Sequence, residues 1–79
     1  MVFEKIRDII SEQMNVPKEK ISEATLFADD LGADSLDIFQ IISELEEAFE
    51  MEFTTEDAEQ IKTVGDAAAY TQRALNMKG

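Results

Sequence analysis

Apolar residues recur every three or four positions in three segments of this 79-residue chain, which is the spacing of one face of an α-helix. The spacing predicts helices over about residues 2–15, 35–50 and 64–75, and a shorter helix is expected over about residues 56–61. No segment alternates apolar and polar residues as a half-buried strand does. The sequence therefore predicts an all-α fold: a small bundle of three main helices plus one short helix, with a long first loop, in a single domain over residues 1–79.

The predicted core consists of the apolar positions that share one face of each helix. The first helix contributes Phe3, Ile6, Ile10 and Met14, the second contributes Ile38, Ile41, Ile42, Leu45 and Phe49, and the last contributes Val64, Ala67, Ala68, Thr71 and Leu75. A connection as long as residues 18–33 is usually functional or held by its own apolar residues. Its candidate anchors are Ile21, Leu26, Phe27 and Leu31.

The expected start of the second helix lies at Asp34. Asp34 is a good N-cap, and Asp37 three residues later resembles the acidic member of a capping box. Ser35 is then the first helical residue, and a phosphate attached to its hydroxyl would lie beside unpaired amides at the positive end of the helix dipole. The chain has no histidine or cysteine to activate this hydroxyl. We therefore interpret Ser35 as a residue to be modified and not as a catalytic nucleophile.

Capping residues also predict the other helix boundaries. Pro17 ends the first helix, because proline disfavours helical geometry in the residue before it. The pair Thr54-Thr55 can cap the short helix. Thr63, with Asp66 three residues later, forms a second expected capping box before the last helix.

The chain is strongly acidic, with 18 acidic residues, 7 basic residues and a formal net charge of −11. Every basic residue lies outside residues 29–59, which hold two thirds of the acidic ones. Such a field repels nucleic acids and anionic membranes and favours basic partners. No apolar run approaches the ~20 residues of a membrane span and no signal-peptide pattern opens the chain, so a cytoplasmic protein is expected. Without cysteine or histidine, neither a disulfide framework nor a zinc site is expected. Asp29-Asp30-Leu31-Gly32 does not have the spacing of a calcium-binding EF-hand loop, so no metal site is predicted.

The outer face of the second helix has the composition of a docking surface. Leu36 and Phe39 fall outside the core stripe, beside Ser35 and among polar and acidic neighbours. An apolar anchor gives affinity and an acidic rim steers a basic partner. The predicted docking residues are Leu36, Asp37, Phe39, Gln40, Ser43 and Glu47. The alternative is that Phe39 tucks against a neighbouring helix as extra core.

The segment Asp34-Ser35-Leu36, preceded by Leu31-Gly32-Ala33 and followed by Asp37, resembles the attachment motif of acyl carrier proteins. Three further segments resemble that family in order and spacing: Phe27-Ala28-Asp29-Asp30-Leu31, Leu45-Glu46-Glu47-Ala48-Phe49 and Ile61-Lys62-Thr63-Val64. The likeness therefore covers nearly the whole chain. Asp34, the strong acidity and the chain length look more like a carrier of fatty-acid synthesis than like other members.

The resemblance implies that Ser35 carries a covalent 4′-phosphopantetheine group, whose thiol holds an acyl chain as a thioester, with Asp34 and Leu36 beside it as cofactor-binding residues. The implied partners are a phosphopantetheinyl transferase and acyl-processing enzymes with basic docking surfaces, and the carrier is expected to be a monomer. Leaving an acyl chain in water costs about 0.8 kcal/mol per methylene, so the loaded protein would be more stable if the bundle opened its core and enclosed the chain. The expected acyl pocket consists of Ile38, Ile42, Leu45, Ile61 and Ala68.

Three alternatives are weighed against this interpretation. An enzyme would need paired carboxylates in a shielded site, which a chain of this size does not favour, so no catalytic residue is predicted. A carrier for polyketide or other thiotemplate synthesis would share the same attachment chemistry. A noncatalytic acidic interaction module, with Ser35 as a plain helix-start residue, would carry no added group at all.

Overall fold

The computed structural model of the protein describes residues 2–78. Its elements are, in chain order, α1 (Val2–Met14), a short 3₁₀ turn (Lys18–Lys20), α2 (Ser35–Phe49), α3 (Thr55–Gln60) and α4 (Val64–Lys78). α1 packs against both α2 and α4. The predicted all-α architecture of three longer helices and one short helix is confirmed.

The core lies between α1, α2 and α4, because each of these helices turns its apolar face inward. The largest side chains buried almost completely are Ile6, Ile10, Ile41, Leu45, Val64 and Thr71. The sequence pattern predicts every one of them. Other predicted core positions lie at the edge of the cluster and are only partly buried: Phe3, Met14, Ile38, Phe49 and Ala68.

The helix ends differ slightly from those predicted. α1 stops one residue early, because Asn15 adopts a left-handed conformation with φ 57°, and α2 ends in the same way at Glu50 with φ 51°. α3 begins and ends one residue earlier than expected. α4 does not stop near Leu75 but continues to Lys78. No proline or glycine occurs between these two residues to end it.

The three helices after the first loop each begin with a capping box. In α3 the hydroxyl of Thr54 accepts the Asp57 amide at 3.0 Å, and the Asp57 carboxylate accepts the Thr54 amide at 3.2 Å. Before α4, Thr63 and Asp66 make the same pair of bonds at 3.0 and 3.1 Å. Each box satisfies backbone amides that the helix leaves unpaired. The predicted cap at Thr63 is confirmed, and of the predicted pair Thr54-Thr55 it is Thr54 that caps α3, while Thr55 is its first residue.

The first loop is pinned by the apolar residues that its sequence suggested. Ile21 and Phe27 are buried in the core, while Leu26 and Leu31 are half-buried. Gly32 turns the chain with a φ of 67°, a conformation that residues with a Cβ rarely adopt. The loop therefore reaches the start of α2 on a fixed path.

A short antiparallel bridge between Leu26 and Thr63 ties this loop to the start of α4. Within it, the amide of Phe27 donates to the carbonyl of Lys62 at 3.1 Å, and two further backbone hydrogen bonds are donated by the first two residues of α4. This bridge could not be predicted from the sequence, because the paired residues lie far apart in the chain and no strand pattern marks them. The bridge brings the loop alongside the segment that joins α3 to α4.

Candidate functional site

The start of α2 holds Ser35 at the surface. The Asp37 amide donates to Asp34 Oδ1 at 2.9 Å, and the Asp34 amide donates to Asp37 Oδ2 at 3.2 Å, so both members of the predicted capping box are present. The cap is made by two carboxylates and does not use the hydroxyl of Ser35. Ser35 and the next residue, Leu36, are exposed. The site therefore offers a hydroxyl to solvent at the positive end of a 15-residue helix.

A cavity of about 400 Å³ opens beside Ser35. Its walls come from the end of the first loop, the first turn of α2, and α3 with the residues that follow it. The lining residues are Leu26, Phe27, Ala28, Asp29, Ser35, Ile38, Phe39, Ala58, Glu59, Ile61 and Lys62. Most of the lining is apolar, and its charged groups are Asp29, Glu59 and Lys62. The volume falls in the range of small-molecule sites in proteins.

The outer face of α2 is exposed next to this cavity. Leu36 is 78% exposed and Phe39 is 53% exposed. Phe39 is thus not part of the core, which excludes the alternative that it packs under a neighbouring helix. The other predicted docking residues lie along the same helix: Gln40, Ser43 and Glu47 are exposed, and Asp37 is half-buried. α2 therefore carries a surface with two apolar side chains among polar and acidic ones, and we call these six residues the outer face.

Only part of the predicted acyl pocket lines the cavity. Ile38 and Ile61 do, whereas Ile42, Leu45 and Ala68 do not. Leu45 is completely buried in the core and Ala68 packs against it. All three side chains are packed against their neighbours, so a role in holding cargo would require the core to open further.

Several cavity residues were not predicted. Ala58 and Glu59 were missed because α3 has too weak an apolar pattern for its position in space to be read from the sequence. Lys62 was missed because its place depends on the bridge to the first loop. Leu26 and Phe27 were expected as loop anchors, and that expectation was the available signal for the part of the cavity wall that the first loop supplies.

The side chains of Tyr70 and Asp57 join α4 to α3, and neither residue lines the cavity. The Tyr70 hydroxyl donates a hydrogen bond to Asp57 Oδ2. This bond lowers the pKa of Asp57, and it also raises the pKa of Tyr70. The Tyr70 ring packs on Phe53, with ring centroids 4.7 Å apart and planes tilted by 31°. α4 thus contacts α3 through a hydrogen bond and contacts the segment that leads into α3 through a ring contact.

Two other kinds of site are absent from residues 2–78. No group of three or more acidic, histidine or cysteine side chains in this range is placed to hold a metal ion. Over the same residues, no helix is both long enough and apolar enough to cross a bilayer. The cavity and the outer face of α2 are therefore the features on which a function can be argued.

Comparison with known proteins identifies the family. The family model described as the phosphopantetheine attachment site matches residues 4–71. The chain is 49% identical over 70 residues to the acyl carrier protein of Clostridium acetobutylicum. That alignment covers 89% of this chain and 91% of that protein. It is 46% identical over 72 residues to the acyl carrier protein of Bdellovibrio bacteriovorus, with 91% and 92% covered. The chain belongs to the acyl carrier protein family.

A solved acyl carrier protein has the same fold. The structure from Enterococcus faecalis aligns with a TM-score of 0.80 at 36% sequence identity, over 92% of each chain. The family resemblance and the helical fold predicted from the sequence are therefore confirmed. The group that this family attaches is 4′-phosphopantetheine, as predicted. The relatives are named as carriers and not as catalysts.

Proposed function

We propose that Ser35 is the attachment point of 4′-phosphopantetheine, and that this single-domain carrier, acting as a monomer, delivers acyl groups to the enzymes of fatty-acid synthesis. The observation that carries the proposal is the position of Ser35, which is exposed at the start of α2 and also lines the cavity. The bound group supplies a thiol that holds an acyl chain as a thioester. Catalysis of acyl transfer then belongs to the partner enzymes.

The residues around Ser35 fit a phosphate-containing group. The capping box takes up the amides of Asp34 and Asp37 and leaves those of Ser35 and Leu36 for an anion. The N-terminus of a helix favours negative charge there. Asp34 and Leu36 flank Ser35 in the attachment motif. Asp34 caps the start of α2, and Leu36 is exposed beside the residue to be modified.

The cavity supports the carrying role. Its apolar wall at Ile38 lies about one turn along α2 from Ser35, so an apolar cargo attached through a flexible arm has a cover close to its attachment point. Shielding each methylene from water is worth about 0.8 kcal/mol, which favours a cargo held in the cavity over one left in solvent.

The outer face of α2 supports delivery to partner enzymes. Its apolar anchors, Leu36 and Phe39, are adjacent to Ser35, so a partner that docks there meets the modified residue. Its carboxylates would attract a basic partner at long range, and salt would screen that attraction beyond ~10 Å at 0.1 M. A phosphopantetheinyl transferase and the acyl-processing enzymes would use the same face.

Attachment is tested by incubating the unmodified protein with a phosphopantetheinyl transferase and coenzyme A, then mapping the added mass. We expect one added group on Ser35 and none in Ser35→Ala. The variant should stay folded, because Asp34 and Asp37 form the cap without the serine hydroxyl. Ser22→Ala, at an exposed serine of the first loop that lies outside the outer face, is the control and should be modified normally. Added mass in Ser35→Ala would refute the assignment.

Docking is tested by the rate at which the transferase modifies Ser35 in charge variants. Glu47→Lys should lower kcat/KM about two- to fivefold at low salt, and added salt should shrink the difference. Glu12→Lys, an equal charge change at an exposed position of α1, should have a smaller effect. Asp37 is a poorer choice for reversal, because its carboxylate caps α2. Equal effects of the two variants would point to net charge and not to the outer face.

Pathway choice is tested with the loaded protein. A malonyl-loaded or acyl-loaded carrier should be accepted by a condensing enzyme of fatty-acid synthesis with a higher kcat/KM than by a condensing enzyme of polyketide synthesis. The reverse preference would assign the chain to polyketide or other thiotemplate synthesis, while leaving the attachment at Ser35 intact.

A further inference from the structure

α3 is a short helix with few means of holding its own position. It has six residues, of which only Ala58 is buried. An isolated helix shorter than ~12–15 residues is marginal in water. The position of α3 therefore depends on its cap and on a few contacts with the rest of the chain.

α3 also forms one wall of the cavity beside Ser35. Ala58 and Glu59 line that cavity from α3, and Ile61 lines it directly after the helix ends. Another part of the wall is the start of α2, which belongs to the packed bundle. A displacement of α3 therefore changes the space available next to the attachment site.

One carboxylate both starts α3 and ties it to α4. Asp57 Oδ2 accepts the amide of Thr54 in the capping box and also accepts the hydroxyl of Tyr70. The Tyr70 ring rests on Phe53, in the segment that leads into α3. Tyr70 belongs to α4, which packs on α1. Through these contacts the short helix is fastened to the firmly packed part of the molecule.

We propose that Tyr70 is a positioning residue that holds α3 against α4 and thereby limits the length of the acyl chain that the cavity beside Ser35 accepts. The cargo part of this statement rests on the function proposed above. Tyr70 is not among the residues that line the cavity, so it acts through the placement of α3 and not through contact with the cargo. The hydrogen bond from its hydroxyl to the Asp57 carboxylate is directional, so it constrains the orientation of α3 more than ring packing alone does.

The first test measures amide hydrogen exchange in the unmodified protein and in Tyr70→Phe. The substitution keeps the ring on Phe53 and removes the hydroxyl from Asp57. We expect the amides of Ala58 and Ile61 to exchange about five- to tenfold faster, which is the effect of losing one hydrogen bond of ordinary net strength. The amide of Ile10, in the core of α1, should keep its rate because α1 does not depend on the link.

Two variants control this measurement. Gln72→Ala removes a different side-chain hydrogen bond of α4, from Gln72 Nε2 to Asn76 Oδ1 at 3.2 Å, and should leave exchange in α3 unchanged. Asp57→Asn keeps an oxygen that can accept from Tyr70, so its exchange in α3 should lie between those of the parent and Tyr70→Phe. Parent-like exchange in Tyr70→Phe, or an equal acceleration at Ile10, would overturn the positioning role.

The second test measures cargo directly, by comparing amide chemical shifts of octanoyl-loaded and dodecanoyl-loaded protein. In the parent, the longer chain should change the shifts of Ala58 and Ile61 little beyond the shorter one, because α3 is held. In Tyr70→Phe the difference between the two chains should be larger. Equal differences in both proteins would overturn the limit on cargo. If the protein accepted no group at Ser35, both the proposed function and the role of Tyr70 in limiting cargo would fail. The hydrogen-exchange test does not depend on attachment, so it tests the positioning of α3 separately.

Discussion

α2 and α4 begin with the same hydrogen-bonding pattern but in opposite surroundings. In each, an N-cap side chain accepts the amide of an aspartate three residues on, and that aspartate accepts the N-cap amide in return. The first helical residue of α2, Ser35, is exposed, whereas that of α4, Val64, is completely buried. The capping box fixes where a helix begins, and the packing around it decides whether the next residue stabilises the fold or faces a partner.

The second helical residues show the same contrast. Leu36 of α2 is 78% exposed. Gly65 of α4 donates its amide to the carbonyl of Glu23 at 2.8 Å, and a Cβ at Gly65 would lie only 2.8 Å from that same oxygen. The start of α4 is therefore closed against the first loop, while the start of α2 is left open beside the cavity. Substitutions at matching positions should separate these two situations.

The largest effect is expected from exchanging residue types at the first helical position. Val64→Ser should destabilise the fold by about 3 kcal/mol, because it removes buried apolar groups and places a hydroxyl in the core. Ser35→Val should change stability by no more than about 0.5 kcal/mol, since its side chain faces solvent. Urea unfolding followed by circular dichroism measures both values. Equal losses in the two variants would contradict the contrast between the two helix starts.

The second helical position should give the next largest effect. Gly65→Ala should cost about 1–3 kcal/mol, because the added Cβ must push back the Glu23 backbone and strain the bond between them. Leu36→Ala is the matched control and should stay within about 0.5 kcal/mol of the parent in the same unfolding experiment. A neutral Gly65→Ala would mean that the first loop yields at this point and does not anchor α4.

The same two helix starts show what could be read from the sequence. Both capping boxes were predicted, because each depends on residues three positions apart. The surroundings of the boxes were harder to predict. Gly65 and Glu23, which are in contact, lie far apart in the sequence, and no local pattern predicts that contact. The exposure of Ser35 was expected from the apolar stripe of α2, but the cavity next to it depends on the placement of α3.

Capping itself should contribute similarly to both helices. Asp34→Ala and Thr63→Ala each remove the side-chain acceptor of one box, so each should cost about 1 kcal/mol. Thermal or urea unfolding of the two variants measures this shared part. A loss at Thr63 that greatly exceeds the loss at Asp34 would show that the bridge to Leu26 depends on the cap, and would enlarge the difference between the two starts.

The smallest effect expected is a pH dependence at the start of α4. The carboxylate of Asp66 accepts the amides of Lys62 and Thr63, and these bonds hold the pKa of Asp66 below its ordinary value of 3.8. Because the folded-state pKa is depressed, the stabilisation is complete above the unfolded-state pKa and is lost as the pH falls through the folded-state pKa. The effect is modest, since the side chain is exposed and water screens it. Asp66→Asn has no charge to titrate and should therefore differ from the parent most above pH 3.8 and progressively less in stronger acid. Urea midpoints of both proteins, measured from about pH 5 to about pH 1, provide the comparison. A difference that stays constant over this range would show that the amides at the start of α4 do not distinguish the charged carboxylate from a neutral acceptor.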